Sequence, residues 1–225
     1  MWLVLVFVAG CFLGSLELCL VHRWNHLFSF FLGRSVCDCC GRHLSWRELI
    51  PIFSYLYYRG TCPDCKQIIN PIYPLSELTL GLIFSIVYIY FNNSLYYYLF
   101  YSILFLMICF DLSYQYIPDL FQIGLFILLF YNYFTFRLLF ISYHHFFILF
   151  ILTILYFFFT NYIGGADLKL IGILCVCLPF EFIPYFFFLA ASSGLCCCLI
   201  TKVRQIPFVP FLVLAFLPLH ILLQI

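Results

Sequence analysis

Charge is what this sequence has least of. Only 8% of its 225 residues are Asp, Glu, Lys or Arg, where soluble domains carry about 25%. With 66% of the chain hydrophobic, a water-soluble core is excluded, and the chain is too long to be a single anchor. Carboxylates at mid-span depth are scarcer still, which argues against a transport path, since that would need polar groups stacked through several spans. Residues 1–21 lack a basic start and a convincing small-residue cleavage site, so they read as a retained first span rather than a removable signal. No internal repeat is apparent, no tail reads as disordered, and no nucleic acid partner is expected. What is left is a polytopic helical membrane protein, because helices satisfy their own backbone hydrogen bonds in lipid.

What is present fits that class. A first span covers residues 2–21, and a polar region occupies residues 22–72. Apolar runs follow at 73–91, 95–112, 117–136, 143–160, 168–182, 184–200 and 207–223. A full span needs about 20 residues, so the boundaries around Asp167 and Pro184 are soft, and the count is eight spans with seven as the alternative. The expected fold is therefore all-α: a first transmembrane helix (1–21), a small cytoplasmic cysteine-containing insert (22–72) and a transmembrane core (73–225). Asn92-Asn93-Ser94 reads as a tight polar turn.

Orientation follows from the basic residues. Arg23, Arg34, Arg42, Arg47, Arg59 and Lys66 all lie in the polar region, which the positive-inside rule makes cytoplasmic, with the N-terminus outside. Threading eight spans from there also puts Lys169, Lys202 and Arg204 inside, and only Arg137 outside. Residues 113–116 and 161–167 then both fall on the inner side.

Cysteine is abundant, at thirteen. Eight of these, including Cys11, Cys109 and Cys175, lie inside apolar runs, where a free thiol behaves as a small hydrophobe. The other five sit in the polar region. Cys37-x-x-Cys40 and Cys62-x-x-Cys65, separated by twenty-one residues, have the spacing of a four-thiolate zinc knuckle pair. A redox pair is the alternative reading of a Cys-x-x-Cys. Cys39 is a bystander in this reading, or a substitute for Cys40. A fully thiolate site has no open position for substrate, so its expected role is folding.

The stretch Asn161-Tyr162-Ile163-Gly164-Gly165-Ala166-Asp167-Leu168-Lys169-Leu170 carries a carboxylate beside long apolar runs. One other carboxylate, Asp111 in Cys109-Phe110-Asp111-Leu112, is set comparably. Ionisable residues beside a bilayer are functional candidates by default. Two close carboxylates cannot both ionise comfortably, so one keeps its proton. The pair can then activate water and polarise an amide, which is aspartic-protease chemistry. Asp167 could instead be a structural acid at a helix start, favoured by the dipole. Asp111 sits at a helix C-terminus, where the same dipole disfavours it, so something else should hold it there. Asp119 follows Pro118 in a first turn and ranks as support. Gly164 and Gly165 either allow a substrate strand to come close or simply make a turn. Lys169 either balances Asp167 or snorkels to the surface.

The ordered set of these pieces resembles the type IV prepilin peptidases. It runs through Gly14-Ser15, His22-Arg23, both Cys-x-x-Cys pairs, Leu44-Ser45-Trp46-Arg47-Glu48-Leu49-Ile50-Pro51, Arg59-Gly60 and Tyr73-Pro74-Leu75-Ser76-Glu77. It ends with Asp111, Ile117-Pro118-Asp119 and Gly164-Gly165-Ala166-Asp167-Leu168-Lys169. The resemblance implies a bacterial inner-membrane protease with Asp111 and Asp167 as its catalytic pair. Its substrates would be prepilins or pseudopilins with short basic leaders, cut after a glycine at the cytoplasmic face. It further implies N-methylation of the new N-terminus by some members with S-adenosylmethionine, linked to the cysteine domain and Glu77, although no nucleotide-binding pattern is visible. Two departures stand out: Ala166 replaces a glycine of the family motif, and Glu17 follows Gly14-Ser15 where relatives carry a polar amide. Glu17 is accounted for only if it faces the bundle interior. The alternatives are a metal-handling transporter and a presenilin-like protease that cuts within helices. The transporter lacks the necessary polar path, and the protease would differ only in where the scissile bond lies.

Overall fold

The structure, a computed structural model, describes residues 1–26, 33–37, 39–91, 94–136, 143–159, 164–202 and 206–224. Asp38, Asn92, Asn93, Arg137, residues 161–163 and Arg204 lie outside these. The described residues are helical apart from turns and two isolated antiparallel bridges. They form two compact units, residues 1–109 and 110–225, taken here in turn.

The first unit holds α1 (Trp2–His22), the short α2 (Phe53–Tyr57), α3 (Ile72–Tyr90) and most of α4 (Leu95–Tyr114). Lipid gives two helices no hydrophobic reason to associate, so close backbone packing has to do it. Here Gly10 and Gly14, four apart on α1, meet α3. A Cβ on Gly10 would lie 2.8 Å from Gly81 Cα, and one on Gly14 would lie 2.7 Å from the Ser76 carbonyl oxygen. Backbone cannot yield as a side chain can, so Gly14→Val is expected to force α1 and α3 apart. A destabilisation of about 1–3 kcal/mol is anticipated for such overpacking. It would be read as a lower thermal midpoint in detergent, with Leu13→Val as the neutral control.

Glu17 does face inward. It is buried on α1 and accepts a hydrogen bond from the Ser102 hydroxyl of α4. At the other end of the unit, Phe91 packs against Tyr97 and Tyr101.

The second unit continues α4 from Phe110 and adds α5 (Asp119–Phe136), α6 (Tyr143–Phe159), α7 (Gly165–Val176), α8 (Ile183–Thr201) and α9 (Val209–Leu222). Gln115, with a φ of 50°, turns the chain out of α4, and Pro118 precedes α5. The apolar run expected at 168–182 is interrupted. α7 stops at Val176, Pro179 follows, and a 3-10 turn (Phe180–Phe182) leads into α8, which has a proline in its first turn. Proline removes an amide donor and disfavours helix in the residue before it. With 12 residues, α7 is only about 18 Å long. By contrast, Trp2–His22, Ile72–Tyr90, Leu95–Tyr114 and Phe180–Thr201 are each long and apolar enough to cross a bilayer. The chain is a helical membrane protein, and α1 and α3–α9 fall on the eight apolar runs.

Candidate active site and cysteine cluster

Asp111 lies in the last turn of α4, where four backbone carbonyls lack intrahelical partners and the local potential is negative. The structure supplies what the sequence left open. Asp111 is buried, and its Oδ2 accepts the backbone N–H of Val209 at 3.0 Å. The amide of Phe208 also donates to it. These are the first amides of α9, so the carboxylate sits on the positive end of a neighbouring helix.

Asp167 lies in the first turn of α7, its backbone N–H bonded to the Gly164 carbonyl at 3.0 Å. Its side chain folds back over Gly164, where a Cβ would come within 3.0 Å of Oδ2. Gly165 is constrained from the other side, with the Tyr156 ring 3.0 Å from the place its Cβ would take. The two glycines therefore make room for a carboxylate and a ring respectively. Ala166 follows them inside the helix and is not among the residues of positive φ, so its methyl group is tolerated. Asp111 and Asp167 belong to the same unit and lie within electrostatic reach of each other.

Lys169 pairs with Asp119 rather than Asp167: its Nζ is 2.7 Å from Asp119 Oδ1 and 5.8 Å from the centre of the Tyr156 ring. Both ion-pair partners are exposed, so the pair contributes little to stability, about 0–1 kcal/mol. What it does is tie the start of α5 to the start of α7. Gln122, one turn further along α5, donates to the Ala166 carbonyl at 3.0 Å and fixes the same register from inside. Asp119, Gln122, Tyr156 and Lys169 stand among the walls of an open cleft of about 1030 Å³ between α5, α6 and α7. Phe126, Leu149 and Ile173 help make the rest of that cleft apolar. Sequence reasoning passed over Gln122, Tyr156 and the Val209 amide. The available signal was Gln122, an amide three residues after Asp119 in an apolar run.

The four cysteines Cys37, Cys40, Cys62 and Cys65 converge, their sulfurs all within 4.8 Å of one another. Cys37 Sγ and Cys65 Sγ are 3.9 Å apart, close to the ~3.8 Å edge of a tetrahedron with Zn–S bonds near 2.3 Å. Cys39 is exposed and stays outside the cluster. Two matching turns build it. The Cys37 amide bonds to the Arg42 carbonyl and the Gly41 amide to the Cys37 carbonyl; twenty-five residues later Cys62–Gln67 and Lys66–Cys62 repeat both bonds. Bridges Val36–His43 and Thr61–Ile68 repeat too, as does the positive φ, at Gly41 and Lys66. This local duplication escaped the sequence reading because the two turns share little beyond their cysteines. Arg42 joins them, with Nη2 at 2.5 Å from Glu48 Oε1 and Nε at 2.6 Å from Asp64 Oδ2. The second is a charge contact without hydrogen-bond alignment.

Glu77 on α3 is buried. Its Oε2 accepts the Ile52 amide at 2.7 Å, and the Ser15 hydroxyl of α1 also bonds to it.

Comparison with known proteins bears on the whole chain. Residues 8–91 match the family described as Bacterial Peptidase A24 N-terminal domain, and residues 98–199 match the Type IV leader peptidase family. The prepilin leader peptidase/N-methyltransferase of Bacillus subtilis (strain 168) is 33% identical over 120 residues, which is 52% of this chain and 48% of that protein. The enzyme of that name from Myxococcus xanthus (strain DK1622) is 40% identical over 81 residues, 36% of this chain and 24% of its own length. The one from Vibrio cholerae is 27% identical over 207 residues, covering 83% of this chain and 81% of its own. No solved structure matches.

Proposed function

The chain belongs to the type IV prepilin peptidase family, and from that membership we propose that it is a membrane-embedded aspartic endopeptidase. Its substrates in this reading are type IV prepilins or pseudopilins, whose basic leaders it removes after a glycine at the cytoplasmic face of the inner membrane. The observation that supports the reading is that Asp111 and Asp167 lie in one unit, each at a helix end, with Asp111 close enough to act electrostatically on Asp167. The eight-span threading, with the N-terminus outside and both aspartates inside, completes it.

In this reading Asp111, oriented by the two amides at the start of α9, is assigned the ionised role. Asp111 is then the base that takes a proton from water as that water attacks the scissile carbonyl. Asp167, protonated, hydrogen-bonds the carbonyl oxygen and afterwards donates to the departing amine. In this reading the cleft between α5, α6 and α7, whose lining includes Leu168 and Lys169 next to Asp167 in sequence, offers the residues flanking the scissile bond an apolar wall. Asp119, Lys169, Gly164 and Gly165 support the site by holding α7 in place.

Cys37, Cys40, Cys62 and Cys65 would hold a structural Zn²⁺, which supplies cross-linking and leaves no open coordination position. For S-adenosylmethionine the fit is poor. Glu77, the acid linked by resemblance to methyl transfer, is already engaged by Ile52 and Ser15. The relatives are nonetheless named prepilin leader peptidase/N-methyltransferase, so one experiment should read both activities. The protein is reconstituted in lipid with a candidate prepilin, and the substrate's N-terminus is analysed by mass spectrometry. Loss of a leader ending in glycine is the expected result, and an added methyl group would report transfer. An intact leader across a panel of prepilins would contradict the peptidase reading.

A further inference from the structure

The cysteine insert carries one feature that neither the metal cluster nor the aspartates use. Between the two cysteine turns, a 3-10 turn (Trp46–Leu49) and α2 present a strongly apolar face. Trp46 is 69% exposed, Phe53 70%, Leu56 67% and Tyr57 79%. Trp46, Phe53 and Tyr57 also rim a shallow hollow of about 460 Å³. Contiguous apolar patches of this kind are uncommon on protein surfaces that meet water, and they mark contacts with partners or membranes.

Where the face sits decides between those two. Ile52, which joins the 3-10 turn to α2, donates its amide to Glu77. Glu77 is the sixth residue of α3, so the attachment point lies about 7.5 Å inside the helix end at 1.5 Å per residue. Ser15, bonded to the same carboxylate, likewise lies inside the end of α1, which runs to His22. The segment is therefore pinned beside the membrane-spanning helices, not held away from them in the cytosol. At this pin Ile52, a β-branched residue, has a φ of 61°, a conformation such residues rarely adopt. Side chains exposed at that level meet lipid head groups. Trp and Tyr are the residues that populate this layer, because their rings are apolar and their N–H and O–H groups are not. The charge agrees. Arg47 lies with its guanidinium 5.2 Å from the centre of the Trp46 ring, and cations beside the inner leaflet are attracted to anionic head groups.

We propose that the face formed by Trp46, Leu49, Phe53, Leu56 and Tyr57 is seated in the head-group layer of the cytoplasmic leaflet, with Arg47 directed at anionic lipid. The cysteine insert is then a platform lying on the membrane, held there by the Ile52–Glu77 latch and by its own aromatic face. This stands independently of the peptidase reading, since it concerns lipid contact alone.

The test uses the full chain with Trp46 as its single tryptophan, made by Trp2→Phe and Trp24→Phe. It is reconstituted as the sole protein in vesicles of phosphatidylethanolamine and anionic phosphatidylglycerol. The expected emission from Trp46 is blue-shifted relative to tryptophan in water. Lipids brominated near the head-group end of the acyl chain should quench most of it, and aqueous iodide should not. Arg47→Glu should weaken the lipid quenching when phosphatidylglycerol is present and leave it unchanged in zwitterionic vesicles. Water-like emission, quenched by iodide and indifferent to brominated lipid, would overturn the proposal. So would shielding of Trp46 that appears only when a bacterial membrane-protein extract is added, because that result assigns the face to a protein partner. Helical content by circular dichroism, the same as in the unaltered chain, is required of each variant, and Phe53→Trp on a Trp46→Phe background gives a second probe on the same face. The two probes must agree in the sense stated; disagreement in either overturns the proposal.

Discussion

Asp111→Asn and Asp167→Asn are each expected to leave the protein inserted and folded while lowering prepilin cleavage by at least about 10³-fold, within the range for loss of a positioned acid or base. Asparagine keeps the shape of the side chain and an oxygen that accepts a hydrogen bond. The bond from Val209 to position 111 can therefore survive, and the effect falls on proton transfer rather than on that bond. If the acids act as one unit, the double variant should be no slower than the worse single variant. Asp119→Asn is the contrasting case. It removes one partner of an exposed ion pair, so cleavage should drop only severalfold. Near-normal cleavage by either dyad variant, measured by gel shift of the prepilin, would refute the pairing.

The second large effect concerns the cysteine cluster. Cys62→Ser, or prolonged exposure to a strong chelator, should remove one zinc ion per chain as measured by mass spectrometry of the metal content. Structural zinc sites hold their folds with apparent energies on the order of 10 kcal/mol. Across the two turns, Arg42 also reaches Asp64. The insert between residues 33 and 71 should then become open to protease while the membrane helices remain protected. Cys39→Ser is the control that the geometry dictates: Cys39 lies outside the sulfur cluster, and its loss should leave the metal content unchanged. A Cys62→Ser protein with full zinc and an intact insert would contradict a four-thiolate site.

Much of this is legible in the amino-acid sequence, for identifiable reasons. Membrane helices announce themselves through composition, so α1 and α3–α6 begin and end within a few residues of the apolar runs. The Cys-x-x-Cys spacing is local covalent geometry and survived intact. The run expected at 168–182 did not, because Pro179 ends a helix that hydropathy alone would continue. Long-range partners were invisible for a plainer reason: the donor that holds Asp111 is the backbone of Val209, and a backbone amide has no signature in sequence. Lys169 reads from sequence as balancing Asp167 or snorkelling to the surface, whereas the start of α5 brings Asp119 to its amine. Gly10 and Gly14 carried a helix-packing signal that went unread amid so many apolar neighbours, and Glu17 found its partner, Ser102, eighty-five residues away.

The central claim is that one proton is shared between two carboxyl groups that do opposite jobs, and the pH dependence of prepilin cleavage tests it most directly. In lipid bilayers, kcat/KM should trace a bell. It should fall on the acid side as the ionised aspartate gains a proton and can no longer accept one from water. It should fall on the alkaline side as the second aspartate loses the proton it must donate. A rate that rises through a single step and stays level to high pH would mean that no retained proton is needed, and the two-carboxylate account would be wrong.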